Sequence, residues 1–515
     1  MTPVLQSYSQ DRWQDGAGEL MPLPDAATGE PVAAIPRTGP AIAAMLGYAR
    51  TVGGPALRAL TFTQRAAILK ALARCLSGHV DEFAALSART GATRRDTTVD
   101  VDGGIGTLAV YASKAGKELP DAHVLPDGPA EPLGKGGTFA GRHIRTPRLG
   151  AAVQVNAFNF PVWGMLEKFA PAFLAGMPSV VKPASQTAYL TELVVRRITE
   201  SGLLPEGSLS LLCAGPGDLL DNLSSQDTLS FTGSASTALA LRTHPVVAGR
   251  AVPFNAEADS LNCSILGPDV TDSDPEFELY VDQLVTEMTI KAGQKCTAIR
   301  RAFVPTSLAA AVTDAVSDKL AAVVVGHPAD PGTMMGPLAS QAQREEVRNA
   351  VGKLTAAARR VYGDPDTVDV HGADPSRGAF LSPILLRCDD ASAAAPHEIE
   401  AFGPVSTIIP YDGINEVVGL AARGDGSLAG SVITRDPDAA SRLIAGLAPW
   451  HGRLLILNRE DAAESTGHGV AMPQLTHGGP GRAGGGAELG GLRALDHYLH
   501  RAAVQGHPDI LNGLA

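Results

Sequence analysis

Helical spacing of apolar residues marks the early part of the chain. In the segment 59–87, Leu69 and Leu72 are followed by Leu76 at three- and four-residue intervals, and charged side chains lie off that face. This pattern predicts one helix over 59–87. The segment Asp127–Gly137 is rich in Pro and Gly and predicts a connection.

From residue 151 onward, short apolar runs alternate with helical segments. Each run has strand length and is followed by a connection that contains Gly or Pro. The predicted strands are Ala151–Val155, Ser179–Val181, Leu209–Cys213 and Thr228–Phe231, and the predicted helices run from about Ala188 to Ser201 and begin after Gly217 and after Ser234. This alternation predicts parallel βαβ units in an open α/β sheet, whose ligands bind beyond the carboxyl ends of the strands.

A second α/β region is predicted from about Cys263 to Ala463. Its helices are expected at Val281–Ala292 and Leu308–Ala322, and its strands at Leu381–Arg387 and Val405–Pro410. The tail contains a Gly-rich stretch at 478–491, a helix-like segment at 492–499 and a short strand at 501–505.

The stretch Leu149–Leu166 carries no charge and superficially resembles a membrane span. Asn156 and Asn159 would be costly in hydrocarbon, and Pro161 would break a helix. We therefore expect a buried strand that runs into a loop, and no contact with a membrane.

The composition narrows the class of protein. The chain has 515 residues, of which 44% are hydrophobic, and it carries a formal net charge of −12. The length predicts roughly two to four domains, and the apolar content excludes a wholly disordered chain. The acidic balance argues against a nucleic-acid partner, since binding to phosphates depends on clustered Lys and Arg.

The five cysteines are Cys75, Cys213, Cys263, Cys296 and Cys388. They are far apart, odd in number and form no C-x-x-C pair, which argues against a disulfide framework or a cysteine zinc site. No metal site is predicted. The polar N-terminal residues show no secretory signal, and we expect a reduced, cytoplasmic compartment.

Cys296 lies in a setting suited to a nucleophile. The run Gly293–Thr297 is a polar, glycine-led turn after an apolar helix, which gives access to the thiol. Taken alone, the motif leaves a buried, inert cysteine as the alternative. Glu257 lies near an apolar strand edge and has the chemistry of a general base, with a solvated loop carboxylate as its alternative.

Two further motifs suit a nucleotide. Thr232, Gly233 and Ser234 open a helix directly after a strand, where backbone N–H groups favour a phosphate. Lys182 stands at the carboxyl end of a predicted strand, a position that suits contact with a ribose or a phosphate. A surface lysine is the alternative interpretation of Lys182.

Together, these segments resemble the aldehyde dehydrogenase superfamily in order and spacing over nearly the whole chain. The segments that carry the resemblance are Asn156–Pro161, Val181–Ala184, Phe231–Ser234, Glu257, Gly293–Thr297 and Glu400–Val405. The resemblance implies an α/β aldehyde dehydrogenase fold with a Rossmann-like cofactor domain, an α/β catalytic domain and a small β oligomerisation arm. The implied bounds are 1–130 and 152–262 for the cofactor domain, 263–463 for the catalytic domain, 464–496 for a Gly-rich segment that returns to the cofactor domain, and 131–151 and 497–515 for the arm.

A narrower resemblance concerns the substrate. The segments Glu257–Asn262, Lys295–Arg301 and His477–Gly486 resemble the dehydrogenase half of the bifunctional ring-opening enzymes of aerobic phenylacetate catabolism. That half oxidises 3-oxo-5,6-dehydrosuberyl-CoA semialdehyde, and Thr90–Thr97 and Met165–Lys168 favour this type. The alternative is the similar 3,4-dehydroadipyl-CoA semialdehyde dehydrogenase of the benzoyl-CoA epoxide route. The chain ends soon after the dehydrogenase pattern, so we expect a separate hydratase to open the ring.

The resemblance assigns roles position by position. Cys296 resembles the nucleophile, Asn159 the side chain that stabilises the oxyanion and Glu257 the base that activates water. The positions that resemble cofactor contacts are Lys182, Gly233, Ser234, Glu400 and Phe402.

One position departs from the pattern of the family, and it concerns the choice of cofactor. Three residues after the lysine, many NAD-dependent relatives carry a glutamate that binds the ribose 2′-hydroxyl, and here that position is Ser185. A serine leaves room for a 2′-phosphate and can donate a hydrogen bond to it. We therefore expect NADP to be preferred, with NAD as the alternative.

Two other classes compete with hydrolytic oxidation. An inactive scaffold would be favoured by the loss of Cys296 or Glu257, and a CoA-acylating dehydrogenase would typically lack Glu257 because CoA rather than water releases the acyl group. Both residues are present, which favours hydrolysis.

By resemblance, we expect a CoA-linked aldehyde as substrate and a homodimer or dimer of dimers that pairs through the arm.

Overall fold

Two seven-stranded sheets form the framework of the molecule, and the computed structural model describes residues 2–514. The first sheet contains, in spatial order, Phe254–Glu257, Thr228–Thr232, Ala152–Val155, Ser179–Lys182, Leu209–Leu211, Ser7–Ser9 and Arg12–Gln14. Its strands between 152 and 257 run parallel, whereas the two N-terminal strands pair antiparallel. The Rossmann-like parallel sheet predicted for this region is confirmed.

The second sheet contains, in spatial order, Arg359–Tyr362, Ile384–Arg387, Val405–Tyr411, Arg301–Pro305, Cys263–Leu266, Ser427–Ile433 and His451–Leu457. All of its pairings are parallel except that of the edge strand Arg359–Tyr362. The central strands of both sheets are buried, as expected where helices cover both faces of a parallel sheet. The region predicted to be a second α/β unit thus contains a mostly parallel sheet.

The α-helices cover these sheets. In chain order they are Ile42–Tyr48, Gly54–Arg58, Phe62–Ser77, Val80–Ser87, Arg94–Thr97, Gly103–Glu118, Trp163–Ala175, Ala188–Glu200, Ala235–Arg242, Pro245–Gly249, Pro275–Thr289, Ala309–Ala321, Gln341–Leu354, Ala395–Glu398, Ile414–Ala422, Pro437–Leu447 and Pro508–Asn512. The third helix begins with a capping box, in which Thr61 and Gln64 exchange side-chain and backbone hydrogen bonds. It ends at Gly78, a poor helix former, so the single helix predicted over 59–87 is wrong and two helices take its place.

Three smaller sheets complete the fold. One pairs Ala17–Pro24 with Pro31–Thr38, and another pairs Thr476–Gly478 with Ala487–Leu489. In the third, Ala140–Pro147 is the central strand between Leu499–Gly506 and Leu125–Pro132. We call the three-stranded one the arm sheet and the pair at 476–489 the hairpin sheet. The connection predicted over 127–137 is wrong in its first half, because Leu125–Pro132 is an edge strand of the arm sheet, where prolines are tolerated.

The remaining differences concern helix limits. Residues 217–222 form turns rather than the predicted helix, and the helix predicted over 281–292 runs from Pro275 to Thr289. The segment 492–499 is largely a 3₁₀-helix, Gly491–His497.

The uncharged stretch 149–166 holds the expected strand and loop and then the start of the helix Trp163–Ala175. Every helix among residues 2–514 is too short or too polar to cross a membrane.

Candidate active site

The turn that presents Cys296 has an unusual backbone. Lys291 and Ala292 have φ angles of 53° and 50°, in the left-handed region that residues with a side chain rarely adopt. Gly293 follows with a φ of 65°, and a Cβ at that position would lie 2.1 Å from the carbonyl oxygen of Gly403. Glycine is therefore required here for the tight reversal that leads to Cys296.

Hydrogen bonds hold the backbone of this turn. Asn262 Nδ2 donates to the Cys296 carbonyl oxygen at 2.7 Å, and Arg300 Nη2 donates to the Gly293 carbonyl oxygen at 2.9 Å. The Cys296 side chain points away from these bonds to His477, whose Nε2 lies 3.6 Å from Sγ. The main chain is thus fixed while the thiol remains available for chemistry.

Glu257 reaches the thiol from the first sheet. It is the last residue of the strand Phe254–Glu257, at the carboxyl end where ligands of parallel sheets bind. Its Oε2 lies 3.4 Å from His477 Nε2, and carboxylate, thiol and imidazole all lie within 4.8 Å of one another. Glu257 and His477 are each only 3% exposed, so their charges interact with little screening by water.

The three groups shift one another's proton affinity. Burial raises the pKa of the Cys296 thiol, and the charge of Glu257 raises it further. Burial alone would raise the pKa of Glu257, but the charge and hydrogen bond of His477, together with Lys168, outweigh it and lower the pKa. Burial alone would lower the pKa of His477, but Glu257 outweighs it and raises the pKa. Glu257 is therefore held as an anion beside an imidazole that readily takes a proton.

Cys296, Glu257 and Asn159 lie where two cavities meet, and all three line both of them. The first cavity has a volume of about 430 Å³ and the second about 390 Å³. The first cavity is lined further by Arg95, Trp163, Glu167, Asp282, Thr466 and His468. The second runs along the carboxyl edge of the first sheet. A nucleophile at such a junction can contact two different ligands at once.

Asn159 lies in the loop between the strand Ala152–Val155 and the helix Trp163–Ala175. It is buried, and its Nδ2 donates to the Gln294 carbonyl oxygen at 3.0 Å. An amide nitrogen carries two protons, so one N–H remains for a ligand in the cavities. The bond to Gln294 orients the amide next to the Cys296 turn.

The predicted cofactor residues divide into two groups. Gly233, Ser234, Glu400 and Phe402 line the second cavity, whereas Lys182 and Ser185 do not. Lys182 is buried at the end of its strand, where its Nζ donates to the Pro183 carbonyl oxygen at 2.7 Å. Ser185 is half-buried in the next turn, beyond Ala184, which does line the cavity.

Glu400 is held in place by two partners. Its carboxylate accepts from the Ser260 backbone N–H at 3.0 Å and lies 3.4 Å from Arg300 Nε. Burial raises the pKa of Glu400 to about 7, although Arg300 acts in the opposite direction. The Arg300 guanidinium also lies over the Phe402 ring, 5.5 Å from its centroid. Sequence reasoning missed Arg300, whose role depends on its neighbours in space.

The helix at the second cavity has its first N–H groups engaged. Ser234 caps the helix Ala235–Arg242 by accepting from the Thr237 N–H at 3.3 Å, and Asp259 accepts from the Ala235 N–H at 2.8 Å. A Cβ on Gly233 would lie 2.5 Å from the Phe231 ring, which explains the glycine there. A phosphate at this helix end would have to bind beside Asp259, whose charge opposes it.

A buried charge cluster behind Glu257 was also missed. Lys168 Nζ lies 2.9 Å from Glu488 and 3.2 Å from Glu167, and burial raises the pKa of Glu167 to about 7. His477 faces Glu488 across the hairpin sheet. A His in front of a Gly-rich stretch was visible in the sequence, but only the hairpin sheet shows that it contacts Cys296.

Comparisons with known proteins agree with this architecture. The family model described as "Aldehyde dehydrogenase family" matches residues 13–504. The 3,4-dehydroadipyl-CoA semialdehyde dehydrogenase of Aromatoleum evansii is 46% identical over 479 residues, which are 92% of this chain and 93% of the relative. "Protein MaoC" of Klebsiella aerogenes is 48% identical over 180 residues, 34% of this chain and 52% of the relative.

Solved structures show the same fold at low sequence identity. A betaine aldehyde dehydrogenase from Staphylococcus aureus in complex with NAD+ has a TM-score of 0.84 at 23% identity, covering 98% of this chain and 95% of that one. HpcC from Thermus thermophilus has a TM-score of 0.84 at 22% identity, covering 98% and 93%. The fold class inferred from the sequence motifs is therefore confirmed.

Proposed function

The chain belongs to the aldehyde dehydrogenase family, and from that premise we propose that it oxidises 3,4-dehydroadipyl-CoA semialdehyde, or a CoA-linked semialdehyde of similar length, to its carboxylate. The substrate is proposed from the name of the Aromatoleum relative, which aligns with 92% of the chain. The longer 3-oxo-5,6-dehydrosuberyl-CoA semialdehyde, favoured by the sequence segments, takes second place because neither curated relative carries its name. The observation that carries the proposal is the position of Cys296 at the junction of two cavities.

In the proposed reaction, the Cys296 thiolate attacks the aldehyde carbon from the junction. A C–S bond forms and the carbonyl electron pair moves to oxygen, where Asn159 Nδ2 and the backbone N–H of Cys296 donate hydrogen bonds to the oxyanion. A nicotinamide held along the second cavity would serve as hydride acceptor; loss of hydride from the former aldehyde carbon, as the oxyanion re-forms the carbonyl, would leave an acyl thioester on Cys296. Glu257 then takes a proton from water, the water oxygen attacks the thioester carbon, and the thiolate leaves.

The second cavity suits a nicotinamide nucleotide in several respects. It lies at the carboxyl edge of a parallel sheet, and Glu400 is already oriented there by Ser260 and Arg300. Glu400 is proposed to bind the nicotinamide ribose, with Phe402 beside it. Lys182 would contact the adenosine ribose. Gly233 and Ser234 would face the pyrophosphate, against the charge of Asp259, which accepts from the first N–H group of that helix.

We propose NADP as the preferred cofactor. The proposal rests on Ser185, a small, half-buried hydroxyl residue at the position where a glutamate would repel a 2′-phosphate. The NAD+ in the Staphylococcus aureus structure belongs to that protein, and its 23% identity carries no argument about cofactor choice here.

Release of the acyl group by water is favoured over release by CoA. Glu257 is buried within 4.8 Å of the nucleophile, as a base for hydrolysis has to be. The same proximity argues against an inactive scaffold, because a binding protein has no need for a thiol, an imidazole and a carboxylate in one cluster.

We further propose that two copies pair through the arm sheet, in line with the predicted arm at 131–151 and 497–515. The arm sheet starts earlier, at Leu125, and the loop between its first two strands exposes Leu133 and Phe139 at 53% and 46%. Exposed apolar side chains beside free strand edges are suited to association.

The test is a panel of aldehydes with purified protein. The CoA-linked C6 and C8 semialdehydes should each give a kcat/KM at least about 100-fold above that of the free aldehyde of the same length, because binding energy of the CoA moiety adds to recognition. Equal values for the free and CoA-linked forms would contradict the substrate assignment. Formation of acyl-CoA that depends on added CoA would contradict hydrolysis.

A further inference from the structure

His477 contacts both reactive groups of the site through one atom. Its Nε2 lies 3.6 Å from Cys296 Sγ and 3.4 Å from Glu257 Oε2. Its Nδ1 is buried and has no hydrogen-bond partner among residues 2–514. No backbone carbonyl therefore commits the ring to one tautomer; in the tautomer with its proton on Nδ1, Nε2 can accept a proton and then donate it towards Glu257.

The hairpin sheet positions the His477 imidazole next to the Cys296 thiol. His477 is the middle residue of the strand Thr476–Gly478, directly opposite Glu488. Gly478 has a φ of 150°, and a Cβ there would lie 2.1 Å from the Gly486 carbonyl oxygen. The glycine at position 478 thus permits the close packing of the two strands, which brings His477 to Cys296.

The charges around His477 favour its protonated form. Glu257 faces it from the first sheet, Glu167 from the helix Trp163–Ala175, and Arg453 from the second sheet. Lys168 pairs with Glu167 and Glu488 behind them. The nearest of these groups is the Glu257 carboxylate, whose negative charge stabilises an imidazolium.

A thiolate at Cys296 needs such a partner. An isolated thiolate in a buried site next to the anionic Glu257 would be strongly disfavoured. Transfer of the thiol proton to a neighbouring base creates a pair of opposite charges and leaves the total charge of the cluster unchanged. Both His477 and Glu257 reach Sγ, and His477 is the stronger base of the two, because its pKa is raised whereas that of Glu257 is lowered.

We propose that His477 is a further catalytic residue: its Nε2 accepts the Cys296 thiol proton, and Glu257 stabilises the resulting thiolate–imidazolium pair. This inference rests on the proposed function in that Cys296 is taken as the nucleophile. The S–H bond breaks, the proton binds to Nε2 and the electron pair stays on sulfur. The proton remains on His477 while the thioester exists, so Glu257 is free to take the proton of water. When the thiolate is expelled, it meets the imidazolium again.

The test measures the reactivity of Cys296 without aldehyde or cofactor. Iodoacetamide alkylation is followed from about pH 5.5 to 9.5, and mass spectrometry reports the Cys296 peptide alone. Burial and Glu257 oppose ionisation of the Cys296 thiol, but transfer of its proton to His477 should bring the midpoint of the rate in the unmodified enzyme below about pH 7.5, as for a cysteine paired with an imidazolium. In His477→Gln, which keeps polar atoms in reach but is not basic, the midpoint should rise by at least about one unit and the rate at pH 6.5 should fall about tenfold.

A matched control is His451→Gln, which alters the buried contact between Cys263 and His451, the second Cys–His contact among residues 2–514. Its Cys296 profile should equal that of the unmodified enzyme. A midpoint shift of less than one unit in His477→Gln, or an equal shift in His451→Gln, would overturn the proposal. This result is independent of the outcome of the aldehyde panel, since alkylation measures the thiolate whichever substrate the enzyme uses.

A second measurement needs no histidine variant and covers the case in which His477→Gln does not fold. The difference in ultraviolet thiolate absorbance between the unmodified enzyme and Cys296→Ala, titrated with pH, gives the Cys296 midpoint directly. A midpoint below about pH 7.5 supports the pair, and any higher midpoint, towards or above the value of about 8.5 for a free thiol, overturns it.

Discussion

Two contacts between a cysteine sulfur and a histidine Nε2 occur among residues 2–514, and they differ in their surroundings. At the active site, Cys296 Sγ lies 3.6 Å from His477 Nε2. In the second sheet, Cys263 Sγ lies 3.3 Å from His451 Nε2. The shorter contact lies in a packed core, where Cys263 is fully buried and lines neither cavity.

The partner of each histidine accounts for the difference. His451 Nδ1 donates to the Leu447 carbonyl oxygen at 2.9 Å, and burial lowers the pKa of His451 to about 4 and raises that of Cys263 to about 11. That pair is neutral and inert. His477 has instead the Glu257 carboxylate, which raises its pKa. A buried anion and access to a cavity, rather than a close contact, distinguish a reactive cysteine from a structural one.

The largest expected effect comes from removing each cysteine in turn. Cys296→Ala should lower kcat/KM by roughly 10⁴–10⁶-fold, as loss of a catalytic nucleophile does. Cys263→Ala should leave kcat/KM within about twofold and lower the free energy of unfolding by about 1–2 kcal/mol. Steady-state kinetics and urea unfolding measure both. An active Cys296→Ala enzyme would remove the distinction between the two pairs.

The second largest expected effect comes from changing Glu257, the carboxylate that is present beside the Cys296–His477 contact and absent from the Cys263–His451 contact. Glu257→Gln should lower steady-state turnover by roughly 10²–10⁴-fold, because the amide cannot take a proton from water. The control is Glu192→Gln, a buried glutamate of the helix Ala188–Glu200 that lines neither cavity. Turnover of the control should be unchanged. Equal losses in both variants would show a general effect of buried glutamates.

The third effect concerns pH and has opposite signs for the two histidines. The folded-state pKa of His451 is lowered to about 4, so its stabilising contribution, present above about pH 6.5, is lost as the pH falls towards 4. His451→Gln should therefore reduce the loss of unfolding free energy between about pH 7 and 4.5 by about 2–3 kcal/mol. The pKa of His477 is raised, so His477→Gln should not reduce that loss. Urea unfolding at the two pH values measures the difference, and equal losses in the unmodified protein and His451→Gln would contradict it.

The smallest expected effect concerns Ser185, at the proposed ribose site of the cofactor and away from both cysteine–histidine contacts. Ser185→Glu should lower the ratio of kcat/KM for NADP to that for NAD by about tenfold or more, because the new charge repels a 2′-phosphate. Ser185→Gln, of equal size without the charge, should change the ratio much less. An unmodified enzyme that uses both cofactors equally would show that Ser185 does not decide the preference.

These contrasts also show what the sequence could and could not predict. The alternation of apolar runs with Gly-containing turns was sufficient to predict the parallel strands around Ala152–Val155, because the residues that define each strand are adjacent in the sequence. The strand Leu125–Pro132 was missed because its prolines resemble a loop and are tolerated only at a sheet edge. His477 lies 181 residues from Cys296, and only the packing of the hairpin sheet brings them together.

Rapid mixing of Glu257→Gln with substrate and cofactor shows whether an acyl group passes through Cys296 and whether Glu257 releases it. We expect a burst of up to about one reduced cofactor per active site, followed by a stall, with an acyl adduct on the Cys296 peptide in mass spectrometry. Cys296→Ala should show neither burst nor adduct. Linear turnover near the unmodified rate, without an adduct on Cys296, would contradict both roles.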